Sequence, residues 1–140
     1  TAWETSLLLA EAAEKGLITA NAETLYNLGV AQAFEYWNTN LPTSYLASNA
    51  NYNAIGTSPL EQIATQKWIA SVINGYEGWI EYRRTGFPVL KNVSASLNGG
   101  IIPVRMPYPA EAASLNSENY KAAETATNNN SLDVKVWWNE

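Results

Sequence analysis

Two glutamates lie among aromatic rings in the stretch GYEGWIEYRRTGFP, residues 75–88. Glu77 and Glu81 share one face of a helix, and a glycosidase places two carboxylates on either side of the bond that it cleaves. Arg83 and Arg84 follow directly, and nearby cations keep carboxylates ionised and therefore poor as acids. We interpret the stretch as a polar cluster at the rim of a core, with catalysis and a sugar-stacking platform as the alternatives.

The same spacing predicts two local contacts. Glu81 and Arg84 lie three residues apart and can form an ion pair on a helix. Arg83 follows Trp79 by four residues, so its guanidinium can lie over that ring.

The elements that position these residues begin with two predicted helices. Residues 2–15 are strong helix formers, and Gly16 is a natural stop. Asn21 is placed to cap a second helix that runs to about Trp37, with apolar residues at spacings of three and four. A helix hairpin is therefore predicted over residues 1–37.

Ser58-Pro59-Leu60-Glu61 predicts the start of the next helix, because it combines an N-cap, a first-turn proline and a capping-box glutamate. The helix is predicted to end at Gly86, and its wide apolar face indicates deep burial over residues 58–86. Gly75 and Gly78 each cost about 1 kcal/mol against alanine inside a helix. Close packing of another backbone is the simplest explanation for them, and a break at Asn74-Gly75 is the next.

A polar stretch rich in Asn, Ser and Thr, residues 38–57, predicts a loop. Loops of this length in compact domains are usually functional or mobile. Tyr45 and Tyr52 lie in it, and Trp37 precedes it. These three rings are our candidate ligand-binding residues, since a ring can stack on a sugar face; the competing interpretation is that the two tyrosines anchor the loop to the helices.

The remainder, residues 87–140, is predicted to be irregular. Residues 93–97 and 101–105 flank the turn signal Asn98-Gly99 and predict at most a small β-hairpin. Asn116 is placed to cap a short helix through about Ala126, and residues 128–130 are expected to form a flexible tract. The predicted fold is thus mainly α, in a single domain of 140 residues.

Composition narrows the function. Six Trp and eight Tyr against two Phe favour rings with a polar end, which suit wet interfaces. A net charge of −5 argues against nucleic-acid binding. The chain has no Cys and no His, which removes disulfides, cysteine nucleophiles, Ser-His triads and nearly every zinc site. No apolar run approaches a membrane span, and the first residues do not form a signal peptide.

Five blocks in this order resemble the C-terminal part of the SusD/RagB family, in its SusD-like branch. They are ETSLLLAEAAEKG, LYNLGVAQAFEYW, QKWIASVINGYEGWIEYRRTGFP, IPVRMPYPAEAASLN and VKVWW. The segments GWIEYRRTGFP and VRMPYP are the most distinctive, and the likeness covers essentially the whole chain.

The resemblance implies tetratricopeptide-like helix pairs with an irregular, loop-rich ligand face. It implies a lipoprotein on the outer-membrane surface of Bacteroidetes-type bacteria that binds oligosaccharides, or in some branches peptides, without catalysis and without a cofactor. The ligand would pass to a TonB-dependent transporter of the SusC type. The lipid anchor would belong to an N-terminal part that is absent here, which makes the chain a processed or truncated piece.

The resemblance also implies architectural roles for the matching blocks, and ligand specificity in variable loops such as residues 38–57. The residues expected to be structural are Trp79, Arg83, Arg84, Gly86, Arg105 and Tyr108. Three hypotheses follow: a glycan-capture fragment, a helical-repeat module that binds a peptide or docks on the transporter without holding sugar, and a hydrolase built on Glu77 and Glu81.

Overall fold

The computed structural model describes residues 1–91, 95–96 and 98–139, and these contain six helices and no strand. The helices are α1 (Ala2–Glu14), α2 (Ala22–Tyr36), α3 (Pro59–Ala70), α4 (Gly75–Thr85), α5 (Ala110–Leu115) and α6 (Ser117–Ala126). The prediction of a mainly α fold is confirmed. None of the described helices is long and apolar enough to span a membrane.

The residues form two compact units, Thr1–Val89 and Leu90–Glu140. The first unit contains α1 to α4, and the second contains α5 and α6. A single domain over the whole chain stays a prediction.

Local capping signals in the first unit form as predicted. The Asn21 carboxamide oxygen accepts the Thr24 N–H at 2.7 Å and starts α2. The Ser58 hydroxyl accepts the Glu61 N–H at 3.1 Å and starts α3, with Pro59 in its first turn. Gly86 adopts a left-handed conformation (φ 77°) directly after α4, and its N–H donates to Tyr82 at 2.7 Å.

The first two helices form the predicted hairpin and carry most of the core. Leu7 and Tyr26 are fully buried, and Val30 and Ile63 are 1% exposed. Gly29 permits the close approach, because a Cβ there would lie only 2.7 Å from the Leu7 side chain. The core thus depends on a small residue at the α1–α2 contact.

The prediction of one helix from Pro59 to Gly86 is wrong, and the alternative of a break is what the structure contains. Helix α3 ends at Ala70 and α4 begins at Gly75, so Gly75 is not interior to a helix. Gly78 is buried next to Trp68, whose ring would meet an added Cβ at an ordinary contact distance of 3.6 Å. Neither glycine is therefore required by a close backbone.

The predicted deep burial is observed in α3, where six of twelve residues are buried, but not for the apolar stripe that continues into α4. The apolar face over the break is exposed, and we call it the α3–α4 apolar face. Its members are Ile69 (44% exposed), Val72 (73%), Ile73 (78%), Tyr76 (66%) and Ile80 (42%). The periodic apolar pattern is real, but nothing in the first unit covers it.

The loop at 38–57 is a series of turns packed on the helix hairpin. Ala50 is fully buried, and its carbonyl accepts the Tyr26 hydroxyl at 2.9 Å. Side chains of Leu41, Tyr45 and Leu46 pack against the core. Its position is thus fixed by buried contacts.

In the second unit, Asn130 joins segments that are distant in sequence. Its side-chain oxygen accepts from the Arg105 guanidinium at 3.1 Å and from the Tyr108 N–H at 2.8 Å. Asn128, Asn129 and Asn130 all have positive φ, between 48° and 58°. Asn130 thus makes specific contacts within the tract 128–130, and the flexibility expected of that tract stays a prediction.

The hairpin predicted near Asn98-Gly99 has no second strand, since residues 101–105 lack strand structure. Its first strand falls largely outside the described residues. Asn116 precedes α6, which ends at Ala126 as predicted, although its side chain makes no capping hydrogen bond.

Candidate functional site

A cleft of about 310 Å³ opens in the first unit where α1, α2, α3 and α4 meet. We call it the Trp37 cleft. Its walls include three aromatic rings, Trp3, Tyr36 and Trp37. Its polar lining comes from seven residues besides the tyrosine: Thr1, Glu4, Lys67, Ser71, Asn74, Glu77 and Glu81. This volume is at the lower end of the roughly 300–1,000 Å³ usual for ligand pockets.

Trp37 is fixed by the helix ends that surround it. Its indole N–H donates to the Ala70 carbonyl at 3.0 Å, which ties the end of α2 to the end of α3. The Tyr36 ring meets it edge-on, with centroids 4.9 Å apart. Because Tyr36 is 56% exposed, its ring is the most accessible aromatic surface in the cleft.

Trp3 forms a buried part of the wall, with 7% of its surface exposed. Its indole N–H has no hydrogen-bond partner within the described part of the chain. Buried polar groups are normally paired, so this donor is an unusual feature of the cleft.

The structure does not bring the three predicted ligand residues into one site. Trp37 lines the cleft, whereas Tyr45 and Tyr52 do not. Tyr52 is 7% exposed, lies 5.3 Å from Tyr26 between ring centroids, and donates its hydroxyl to Glu14. Tyr45 meets Phe34 edge-on at 5.2 Å and its hydroxyl donates to Gln66 at 3.2 Å. Both tyrosines thus make the anchoring contacts of the competing interpretation.

Sequence reasoning missed Trp3 and Tyr36 as cleft residues. Tyr36 is adjacent to Trp37 in the stretch EYW, and that pair of rings was the available signal. Trp3 could not be linked to them, because α1 and the end of α2 meet only in the folded chain.

A network of charged side chains lies beside the cleft and includes two of its lining residues, Lys67 and Glu81. Lys67 on α3 donates to Glu81 on α4 at 2.8 Å, and both side chains are 9% exposed. Arg84 donates to Glu81 at 2.8 Å and to Glu11 on α1 at 2.6 Å. The predicted Glu81–Arg84 pair is thus observed as part of a larger network.

Electrostatics in this network favour the ionised state of Glu11. Burial alone would raise the pKa of its carboxyl. Hydrogen bonds from Arg84 and Lys15, together with the charges of Arg84 and Lys67, outweigh burial and lower that pKa to about 2. The same pairing raises the pKa of Arg84 against the opposing effect of burial.

The other residues of the opening stretch also make packing contacts. The Arg83 guanidinium lies 4.2 Å from the centroid of the Trp79 ring, as the spacing predicted. In the second unit, Arg105 is 7% exposed and lies 4.8 Å from the Tyr108 ring centroid. Since Glu81 is held by two cations, a proton-donating role with Glu77 lacks support in this geometry.

Comparison with known families gives one match. The SusD-like_2 family, described as starch-binding and associating with the outer membrane, matches residues 1–109. No curated protein matches the sequence.

Several solved structures share the fold. A chitin-binding protein is 34% identical with a TM-score of 0.80, and the alignment covers 100% of this chain and 33% of that one. A SusD-like protein of Bacteroidetes AC2a is 27% identical with a TM-score of 0.86, and the alignment covers 100% of this chain and 30% of that one. A SusD homologue of Bacteroides uniformis is 32% identical with a TM-score of 0.77, and the alignment covers 100% of this chain and 36% of that one. The chain therefore spans about a third of the length of these proteins.

Proposed function

Because the chain belongs to the SusD-like family of starch-binding proteins that associate with the outer membrane, we propose that it is part of a non-catalytic protein that captures oligosaccharides at the cell surface. The captured glycan would be delivered to a TonB-dependent transporter of the SusC type. The single observation that carries this proposal is the family match over residues 1–109.

We propose further that the chain is the C-terminal portion of the protein and that a lipid anchor lies on the N-terminal part. The solved relatives are about three times as long, which supports the chain being one portion of a longer protein, and its C-terminal position rests on the resemblance. The anchor rests on the resemblance alone.

The Trp37 cleft is the place in this chain that we assign to the glycan. An exposed ring at Tyr36 can stack on the apolar face of a pyranose, and the neighbouring polar side chains can pair with its hydroxyls. The name of the chitin-binding relative agrees with this assignment for a sugar ligand. Tyr45 and Tyr52 remain proposed as ligand residues only if the loop opens, since their rings are packed.

A glycan-array screen of this chain and of its longer parent tests the proposal. Binding by both would support a site within these residues, and Tyr36→Ala should then weaken it. If the parent alone binds, the chain serves as a scaffold for a site elsewhere. If neither protein binds any glycan on the array, that result would contradict glycan capture.

A second candidate is an interaction module that docks on a peptide, the transporter or the rest of the protein without holding sugar. The exposed α3–α4 apolar face favours it, because contiguous exposed apolar surface marks interaction sites. An adjoining groove of about 230 Å³ is lined almost entirely by apolar groups, among them Phe34, Ile69 and Val72. Val72→Ser combined with Tyr76→Ser should abolish docking and leave any glycan affinity unchanged, because neither residue lines the Trp37 cleft.

A further inference from the structure

The cations in the lining of the Trp37 cleft are already paired. Lys67 is the one lysine or arginine among the lining residues, all of which the structure describes. Its Nζ lies 2.8 Å from the Glu81 carboxylate and 3.9 Å from that of Glu11, and its side chain is 9% exposed. An anionic sugar would therefore find no uncommitted positive charge here.

The carboxylates, in contrast, exceed the cations. Glu4, Glu77 and Glu81 all belong to the lining. Glu77 is exposed on α4, and its carboxylate makes no hydrogen bond or ion pair with any part of the chain that the structure describes. A negative charge is thus available at the cleft to a positively charged ligand.

Aromatic rings stand beside this charge. Tyr36 and Trp37 form adjacent walls of the same cleft, and residue Tyr36 is 56% exposed. A cation positioned over the face of Tyr or Trp is attracted by the quadrupole of the ring. An ammonium group would therefore gain from the ring and the carboxylate together, whereas a carboxylate or sulfate would be repelled by Glu77.

We propose that the Trp37 cleft prefers sugar units that carry a protonated amine, accepts neutral units more weakly and rejects units that carry a carboxylate or a sulfate. The proposal deepens the glycan-capture function and rests on it. It follows from the lining residues of this chain and concerns the charge of the ligand, which the family match does not address.

Three oligosaccharides of equal length provide the test: a glucosamine oligomer, an N-acetylglucosamine oligomer and a galacturonic acid oligomer. Each is titrated calorimetrically into the full chain at mildly acidic pH, where the amine is protonated. We expect the glucosamine oligomer to bind most tightly and the galacturonic acid oligomer not to bind. Added salt should weaken the binding of the glucosamine oligomer only, because salt screens the attraction between its amine and the carboxylate.

A matched pair of variants locates the charge that discriminates. Glu77→Gln should weaken the glucosamine oligomer by roughly two- to fivefold, as expected for an exposed ion pair, and leave the neutral oligomer unchanged. Glu35→Gln removes the same charge from an exposed site on α2 outside the lining and should change neither affinity. Circular dichroism verifies that both variants are folded.

The outcomes separate this proposal from the one on which it rests. Equal affinity for the amine-bearing and neutral oligomers, or the same loss in Glu35→Gln as in Glu77→Gln, would overturn the charge preference and leave glycan capture standing. Failure of the folded chain to bind any of the three oligomers would overturn the assignment of a sugar to this cleft.

Discussion

Arg84 holds Glu11 through two parallel hydrogen bonds, Nη1 to Oε1 at 2.6 Å and Nη2 to Oε2 at 2.7 Å, across 73 residues of sequence. Such bidentate pairs are the strong, geometrically specific form of the arginine–carboxylate interaction. Because Arg84 also binds Glu81, and Glu81 binds Lys67, the network joins α1, α3 and α4. Two of the five sequence blocks, ETSLLLAEAAEKG and QKWIASVINGYEGWIEYRRTGFP, therefore meet in one structural contact.

Removal of the Glu11 charge should weaken the first unit. Glu11→Gln leaves Arg84 and Lys67 to share the single carboxylate of Glu81, and breaking a buried ion pair is costly. We expect a loss of about 2–4 kcal/mol in the free energy of unfolding, at the lower end because Arg84 is partly exposed. Urea denaturation followed by circular dichroism measures it. Glu35→Gln is the control. If Glu11→Gln loses no more stability than Glu35→Gln, the network is dispensable for the fold.

The Glu11 carboxylate also contributes to the pH dependence of the stability of the fold. The pKa of Glu11 is about 2 in the folded chain against an ordinary value of 4.5. Because the folded-state pKa is the lower one, the ionised group stabilises the fold above about pH 5, and this contribution disappears as the pH falls toward 2. The difference in Tm between wild type and Glu11→Gln should therefore shrink in acid. A difference that stays constant over that range would contradict the assigned pKa.

Two glycines should respond with opposite signs. Gly29→Ala places a Cβ 2.7 Å from Leu7 Cγ, and this overpacking should exceed the gain in helix propensity and destabilise the chain by about 1–2 kcal/mol. Gly75→Ala meets nothing within 4 Å and should be neutral or stabilising by up to about 1 kcal/mol. Thermal unfolding of both variants provides the comparison. A stabilised Gly29→Ala would mean that α1 and α2 can separate without cost.

Substitutions at Tyr52 should lower the stability of the fold. Tyr52→Phe keeps the ring against Tyr26 but loses the hydrogen bond to Glu14, so we expect a loss of about 1 kcal/mol. Tyr52→Ala also removes the buried ring and should cost about 3–5 kcal/mol. Chemical denaturation measures both. If Tyr52→Ala unfolds like wild type but loses glycan affinity, the ring serves the ligand and the packed position is not the functional one.

The sequence was sufficient for features whose cause lies within a few residues. Asn21, Ser58 and Gly86 act on backbone groups at most four residues away, and all three helix boundaries lie where they were predicted. The Arg83–Trp79 contact and the Glu81–Arg84 pair follow from helix spacing for the same reason. The break before Gly75 was ambiguous, because the apolar period continues through it.

Features that depend on the assembled helices could not be predicted. Nothing local relates Glu11 to Arg84, or Trp3 to Tyr36 and Trp37, so the charged network and the cleft emerged only from the fold. The apolar period over Ile69 to Ile80 predicted a burial that the first unit does not provide, because a period does not say which surface covers it. Of the three predicted ligand-binding residues, Trp37 alone lines the cleft.

The most direct test of the central claim compares two exposed tyrosines of the first unit. Tyr36 lines the Trp37 cleft, whereas Tyr76 is 66% exposed on α4 outside its lining. Isothermal titration of wild type, Tyr36→Ala and Tyr76→Ala with the strongest glycan of the array should show roughly fivefold or greater weakening for Tyr36→Ala, from loss of ring stacking, and no change for Tyr76→Ala. Equal affinity of all three proteins would contradict the claim that this cleft holds the sugar.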